Sequence, residues 1–305
     1  MWKIKRTTNH YTYKFTHVFV RDLLNWANDN RGLKEIKDIE ETKMTIKLKL
    51  LVKNISSKKL KTHMLAMSNC KKISKVRAVY FFFTKHYSKI LKGEIRSYPK
   101  LDKETIKDIK PVFTYFYDHL LDDERFWQAY NPNVPPMTKL AYRKLETGYK
   151  TCPYCDQQHI FASERTNLDH FLPISSFPFI GVYWENLIIS CSSCNGLQLK
   201  RNNWKIPTLN PFYDEPDKVL QFLFDYKKKE VRIRAKNKVK GIKKPSLRGH
   251  NFSAILKLNR LYNGSWFIVE EEKEEVINTI KNNFYRIRST STIAQDNEII
   301  SDGIK

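Results

Sequence analysis

The sequence predicts an α+β chain in which a short cysteine-stapled segment is embedded between mainly helical N- and C-terminal regions. Three patterns carry that prediction. Apolar residues recur at helical spacing in both flanks, one early run alternates with period two, and two Cys-x-x-Cys pairs, Cys152/Cys155 and Cys191/Cys194, bracket the middle of the chain. With 305 residues there is length for about two domains. The composition shifts divide the chain into residues 1–145, an α+β region without a nameable motif, 146–215, the stapled segment, and 216–305, a basic strand followed by helices.

In the first region Phe19, Leu23 and Trp26, flanked by Val20, Leu24 and Ala27, follow a helical period. Over residues 44–52 the pattern alternates: Met44, Ile46, Leu48, Leu50 and Val52 share one face, and Thr45, Lys47, Lys49 and Leu51 the other, which predicts a half-buried strand. Val76, Val79, Tyr80, Phe83, Tyr87 and Ile90 predict another helix, and a further one is expected to start near Pro111 and to carry Phe113, Phe116, Tyr117 and Leu120. These aromatics read as core rather than as a base-stacking platform, and Cys70, without a partner in sequence, as an inert thiol. Residues 131–136, NPNVPP, read as a linker, and 137–149 as a helix feeding the first cysteine pair.

Each Cys-x-x-Cys turn sets two thiolates on one side of a tight knuckle, and two knuckles supply the four soft ligands that tetrahedral zinc prefers. Four of the five cysteines are used in this way, separated by 35 intervening residues. A redox role would need only one pair. A site closed by Cys152, Cys155, Cys191 and Cys194 has no open coordination position, so this Zn²⁺ is expected to be structural. Any chemistry must come from what it clamps. Asp169-His170 follows Asn167-Leu168 and precedes Phe171-Leu172-Pro173, which suits a short strand turning into a loop, with neighbouring side chains on opposite sides. Asn195 directly follows the fourth cysteine, where a helix is expected to begin near residues 195–200. Such a unit can bring Asp169 and Asn195 to one hard cation while His170 faces a water.

Together, Cys152, Cys155, Asp169-His170, Pro173, Asn186-Leu187, Cys191, Cys194 and Asn195 resemble the HNH endonucleases, the ββα-metal or His-Me finger nucleases. The resemblance covers the middle of the chain only. The 14-residue step from Cys155 to Asp169 and the Cys-Asn junction are similar to the junction-resolving phage enzymes of that group, and residues 209–214, LNPFYD, to a segment that follows the motif in bacterial HNH proteins, some from anti-phage operons. One spacing departs from the family. Asn195 is followed by Gly196, Leu197 and Gln198, and the next lysine is Lys200. The resemblance implies a zinc-stapled ββα-metal module in which His170 is the general base, Asn186 orients its imidazole, and Asp169 and Asn195 hold one Mg²⁺ or Mn²⁺ that neutralises the scissile phosphate.

Fifty-five Lys and Arg against 32 Asp and Glu give a net charge of +23, which favours a polyanionic partner. Between Lys227 and Lys244 ten basic residues meet one acid, Glu230. Arg232, Arg234, Lys236, Lys238 and Lys240 alternate with Val231, Ile233, Ala235 and Val239, so an extended strand would present a row of cations able to follow a phosphate backbone, with Lys200 and Arg201 near the motif as further contacts. The bland explanation is a lysine-protected edge strand. Helical spacing returns at Phe252, Ile255 and Leu256 and at Val269, Val276, Ile280, Phe284 and Ile287; Glu270, Glu271, Glu272, Glu274 and Glu275 read as a solvated face, and the tail from Ser289 as loose.

The residues following the basic start, TTNHYTY, are polar where a secretory signal would be apolar, and no run is long enough to span a membrane, so a cytoplasmic protein is expected. The function expected is phosphodiester hydrolysis of nucleic acid, DNA ahead of RNA, in anti-phage defence. Two alternatives stay open: a zinc-dependent nucleic-acid-binding module without catalysis, which would have no use for Asp169-His170 with Asn186 and Asn195, and a nuclease subunit silent until a partner such as an ATPase releases it.

Overall fold

The computed structural model describes residues 11–130, 138–147, 150–157, 160, 166–196, 199–264, 266, 270, 271 and 273–281. The linker expected at 131–136, the tail from Ser289, and Val269, Glu272, Phe284 and Ile287 lie outside them. Among the described residues the chain combines many helices with two small antiparallel sheets. Eight helices come first: α1 (Tyr11–Asp29), α2 (Asp38–Glu41), α3 (Ile46–Ile55), α4 (Lys58–Ser68), α5 (Ile73–Leu91), α6 (Lys103–Asp118), α7 (Glu124–Tyr130) and α8 (Lys139–Thr147). Then follow β1 (Thr166–His170), β2 (Leu187–Cys191), α9 (Ser192–Asn195), α10 (Pro216–Val219), β3 (Leu220–Asp225), β4 (Glu230–Ala235), α11 (Pro245–Leu256) and α12 (Leu258–Asn263).

The spacing at Phe19, Leu23 and Trp26 is that of α1, whose buried face also carries Val20, Leu24 and Ala27. Phe19 meets Phe116 of α6 and Phe126 of α7 edge to face, with ring centroids 5.2 and 5.3 Å apart. The strand expected over 44–52 is instead α3. Its buried residues are Leu48, Leu51, Val52 and Ile55, an i, i+3, i+4, i+7 set, and Ile46 and Leu50 of the alternating face are exposed. Leu48 and Val52 satisfy both periods. What favours the helix is Thr45, whose hydroxyl accepts the Leu48 N–H at 3.3 Å as a cap and donates to Asp22 of α1 at 2.8 Å.

The helix expected near Pro111 begins at Lys103, because Asp102 caps it by accepting from the Thr105 N–H at 3.0 Å, and Thr105 and Ile109 already belong to its buried face. Pro111 sits inside α6, where it forgoes one backbone hydrogen bond. Cys70 is buried, and burial pushes its thiol up, as an inert core thiol requires.

Two compact units are present. The first takes the chain through Gln221 and adds Ile233–Leu258; the second is Phe222–Arg232 with the residues from Asn259 onward. The boundary expected at residue 145 therefore falls inside the first unit, where the N-terminal helices and the cysteine segment share a core. In the second unit Lys229 pairs with Glu270 at 2.8 Å, which lowers the Glu270 carboxyl. Helical backbone runs through residues 273–281, with Val276 and Ile280 exposed.

The basic row is shorter than its alternation suggests. Arg232 and Arg234 project from β4 and Lys236 follows it, all exposed, but the strand stops at Ala235. A bridge between Val239 and Ile242, around Gly241 at φ +77°, turns the chain at Lys240, so Lys238 and Lys240 do not continue the row. Arg232 also donates to Glu230 at 3.1 Å.

Candidate active site and metal centre

β1 and β2 pair antiparallel in a register that sets Thr166 opposite Cys191 and His170 opposite Leu187. Cysteines therefore gather at one end of the pair and the Asp169-His170 dipeptide lies at the other. At the first end Cys152 and Cys155 sit on a turn closed by the Asp156 N–H donating to the Cys152 carbonyl at 2.7 Å, with Asp156 at φ +59°. β2 ends on Cys191, and α9 brings round Cys194, whose backbone N–H donates to the Cys191 sulfur at 3.4 Å. The Cys191 N–H in turn donates to the Cys152 sulfur at 3.4 Å.

The four buried sulfurs lie within 4.8 Å of one another, and those of Cys155 and Cys191 are 3.8 Å apart. A tetrahedron with Zn–S bonds of about 2.3 Å has edges of about 3.8 Å. The residues fit a four-thiolate zinc site in identity, number and spacing. Burial raises the Cys152 thiol, whereas hydrogen bonds from the Cys152, Cys155 and Cys194 sulfurs depress that of Cys191.

At the other end a cleft of about 550 Å³ is lined by Tyr117, Asp169, His170, Pro173, Asn195 and Arg201, among others. Asp169, His170 and Asn195 thus share one cavity. The Asp169 carboxylate is buried and accepts from the Tyr154 hydroxyl at 2.7 Å and from the Lys200 ammonium at 2.9 and 3.0 Å. Lys200 also donates to the His170 carbonyl at 2.6 Å. The phosphate contact expected of Lys200 is therefore corrected: its side chain is 1% exposed and belongs to an internal ion pair, while the neighbouring Arg201 is exposed on the cleft wall. The helix expected near residues 195–200 is also displaced. α9 closes at Asn195, since Gly196 turns extended and a Cβ there would lie 2.7 Å from the Ser192 carbonyl oxygen. Residues 197 and 198 lie outside the described ones, and Lys200 beyond them is buried.

His170 packs its ring on Tyr117 of α6, centroids 4.2 Å apart, and its Nε2 lies 2.8 Å from the Gly181 carbonyl. A carbonyl only accepts, so Nε2 carries the hydrogen and Nδ1 the lone pair. Burial is the largest influence on this imidazole and, against the opposing pull of Asp169, brings its pKa down to about 4, so it is neutral near pH 7.

Asn186 does not orient that ring directly, which corrects the role expected for it. Its side chain is committed elsewhere: Oδ1 accepts from the Tyr87 hydroxyl at 2.7 Å and the Leu172 N–H at 2.8 Å, and Nδ2 donates to the Leu172 and Ile180 carbonyls at 3.0 and 3.2 Å. Asn186 thus ties down both ends of the loop that delivers Gly181 to His170. Gly181 is needed there, because a Cβ would meet Ile174 Cδ1 at 2.8 Å and the Pro178 carbonyl oxygen at 3.0 Å.

Tyr87, Tyr117, Tyr154, Gly181 and the pairing of Lys200 are the functional features that sequence reasoning missed. Only the Lys200 spacing left a signal. The LNPFYD segment is scaffold: Asn210 Oδ1 accepts from the Phe212 N–H at 2.8 Å, Asp214 accepts from the Asn210 N–H at 2.9 Å and pairs with the buried Arg248, and the Tyr213 hydroxyl donates to Glu185.

As donors, Asp169 and Asn195 are the oxygen ligands that a hard divalent ion takes. The positive charge at that carboxylate is the Lys200 ammonium, so an ion bound there would have to exchange with Lys200 or share the carboxylate with it.

The chain is similar to the Septu protein PtuB of Bacillus thuringiensis, 34% identical over 104 residues, which is 34% of this chain and 39% of that protein. The chain thus matches well under half of that relative's length. No family profile matches the chain, and no solved structure matches it. Among the described residues no helix is long and apolar enough to cross a membrane.

Proposed function

We propose that this chain is an HNH-type endonuclease that hydrolyses phosphodiester bonds of nucleic acid, DNA ahead of RNA, as part of anti-phage defence. The observation that carries the proposal is the convergence of Asp169, His170, Asn195 and Arg201 on one cleft at the end of β1, opposite a four-cysteine cluster. The defence assignment rests on the motif's resemblance to HNH proteins of anti-phage operons and is supported by the similarity to Septu protein PtuB.

His170 is the base. With Nε2 engaged by Gly181, its neutral Nδ1 is the nitrogen able to take a proton from an attacking water. Arg201 draws the phosphate into the cleft, and Tyr117 keeps the imidazole plane in place by packing. A divalent ion on Asp169 and Asn195 would supply charge neutralisation at the phosphate and at the leaving oxygen. Lys200 holds the Asp169 carboxylate in position from the side of the protein core. The zinc cluster takes no part in the chemistry and fixes the strand ends.

A second reading, a nuclease subunit kept silent until a partner releases it, is favoured by one feature: the Asp169 carboxylate is closed in an ion pair with Lys200. The test is incubation of the purified chain with plasmid, single-stranded DNA and RNA, with and without Mg²⁺ or Mn²⁺, beside Asp169→Ala. Ion-dependent cleavage, weakened in Asp169→Ala and partly restored by more ion, is expected. No cleavage by the isolated chain, appearing on addition of a partner encoded beside it, selects the second reading; none under either condition leaves the non-catalytic zinc module.

A further inference from the structure

A second cavity, of about 370 Å³, opens across the loop from the cleft. Pro173 and Ile174 of that loop line the cleft, and the next residues, Ser175, Ser176 and Phe177, line this pocket. Its floor is aromatic. Buried Phe83 and Phe179 meet edge to face, centroids 5.0 Å apart, and Phe83 also meets Tyr98 at 5.2 Å. Trp204 closes one side, packed edge to face on Phe177 at 4.8 Å, and is 37% exposed. On the rim stand two exposed cations, Lys100 and Lys103; the Lys100 ammonium lies 5.7 Å from the Tyr98 ring centroid, and neither lysine has an ion-pair partner among the described residues.

Flat aromatic walls suit a flat aromatic ligand, the two serines offer hydrogen bonds to its edge, and the rim cations suit an attached anion. The volume is that of a pocket for one small-molecule-sized group. A nucleotide of an unpaired strand joins these features in one ligand, and the loop of residues 173–177 lines both this pocket and the cleft that holds His170.

We propose that this pocket binds one unpaired nucleobase of the substrate strand, stacked on Trp204, with Lys100 and Lys103 on the flanking phosphates. The proposal rests on the nucleic-acid-cleaving function and makes that substrate single-stranded or locally opened. Tyr98, which sequence reasoning did not place, lines the pocket beside the buried Phe83.

The test measures binding alone, so that it stands apart from cleavage. The full-length chain, without added divalent ion, is titrated with a labelled short oligothymidylate and with a duplex of equal length, and the probes are checked afterwards for integrity. Trp204→Ala is expected to weaken single-strand binding about 5- to 150-fold, the worth of one stacked base, and to lose the accompanying tryptophan quenching. Trp204→Phe is expected to keep most of the affinity, Lys100→Glu with Lys103→Glu to lower it and its salt dependence, and duplex binding to change little in Trp204→Ala. Unchanged oligothymidylate affinity in a folded Trp204→Ala overturns the proposal and returns the pocket to other occupants, a partner protein among them. If the pocket variants lose binding while the parent cleaves nothing under any condition, the pocket stands and the nuclease reading falls.

Discussion

The two ends of the β1–β2 pair are built on different principles. At the cysteine end every essential group comes from two four-residue turns, so the site is local and its signature is a spacing. At the cleft end each group is held by something distant in sequence: Asn186 by Tyr87 of α5, His170 by Tyr117 of α6 and the Gly181 carbonyl, Asp169 by Tyr154 and Lys200. A metal with four thiolates can organise its own surroundings, whereas a part-buried imidazole and a buried carboxylate need a scaffold that supplies their hydrogen-bond and ion-pair partners. The N-terminal helices supply part of that scaffold through Tyr87 and Tyr117, and Tyr154, Gly181 and Lys200 supply the rest.

Breaking the cysteine end is expected to have the largest effect. Structural zinc contributes on the order of 10 kcal/mol of metal-linked folding energy, comparable to the whole stability of a domain. Cys191→Ser should therefore lose zinc and cooperative unfolding together, and elemental analysis of the parent should give about one zinc per chain.

Lys200→Met comes next. Removing the cation from a fully buried pair leaves the Asp169 carboxylate uncompensated, which costs about 3 to 5 kcal/mol. If the pair is the resting state of an ion site, the same variant should bind Mn²⁺ more tightly than the parent, read by titration without substrate. A stable Lys200→Met with unchanged Mn²⁺ affinity would place the ion elsewhere.

Asn186→Ala strands the Tyr87 hydroxyl, the Leu172 N–H and two carbonyls, a loss of about 1 to 3 kcal/mol at least, and should loosen the loop carrying Gly181. Tyr87→Phe removes one of those bonds and should cost about 1 kcal/mol, measured by chemical denaturation. Smallest is the basic row. Arg234→Glu with Lys236→Glu should flatten the log-log salt dependence of DNA binding by roughly 1.8, at about 0.9 per contact, while Lys238 and Lys240, beyond the strand, should contribute less.

The same contrast decides what the sequence could show. The cysteine cluster, β1 ending at Asp169-His170 and α1 were legible because their information is local: a repeated spacing, a polar pair before Phe-Leu-Pro, a clean helical period. Residues 44–52 misled because Leu48 and Val52 fit both periods, and the deciding group, Thr45 as a cap to α3, is a single hydroxyl. Pro111 misled because proline is a common helix starter, yet the cap at Asp102 and the apolar face of α6 outweigh one missing hydrogen bond. Lys200 read as a surface cation because residue type alone does not distinguish a lysine that meets phosphate from one buried against a carboxylate. Its shifted spacing from Asn195 was the trace of that difference.

The division of labour between the two ends is tested most directly by the rate at which His170→Ala cleaves the parent's best substrate, at matched zinc content and matched circular dichroism. The account predicts full zinc, a retained fold, retained substrate binding and cleavage lower by roughly 10² to 10⁴, the worth of a positioned base, with no recovery at raised Mg²⁺ or Mn²⁺. A His170→Ala chain that cleaves as fast as the parent would contradict it.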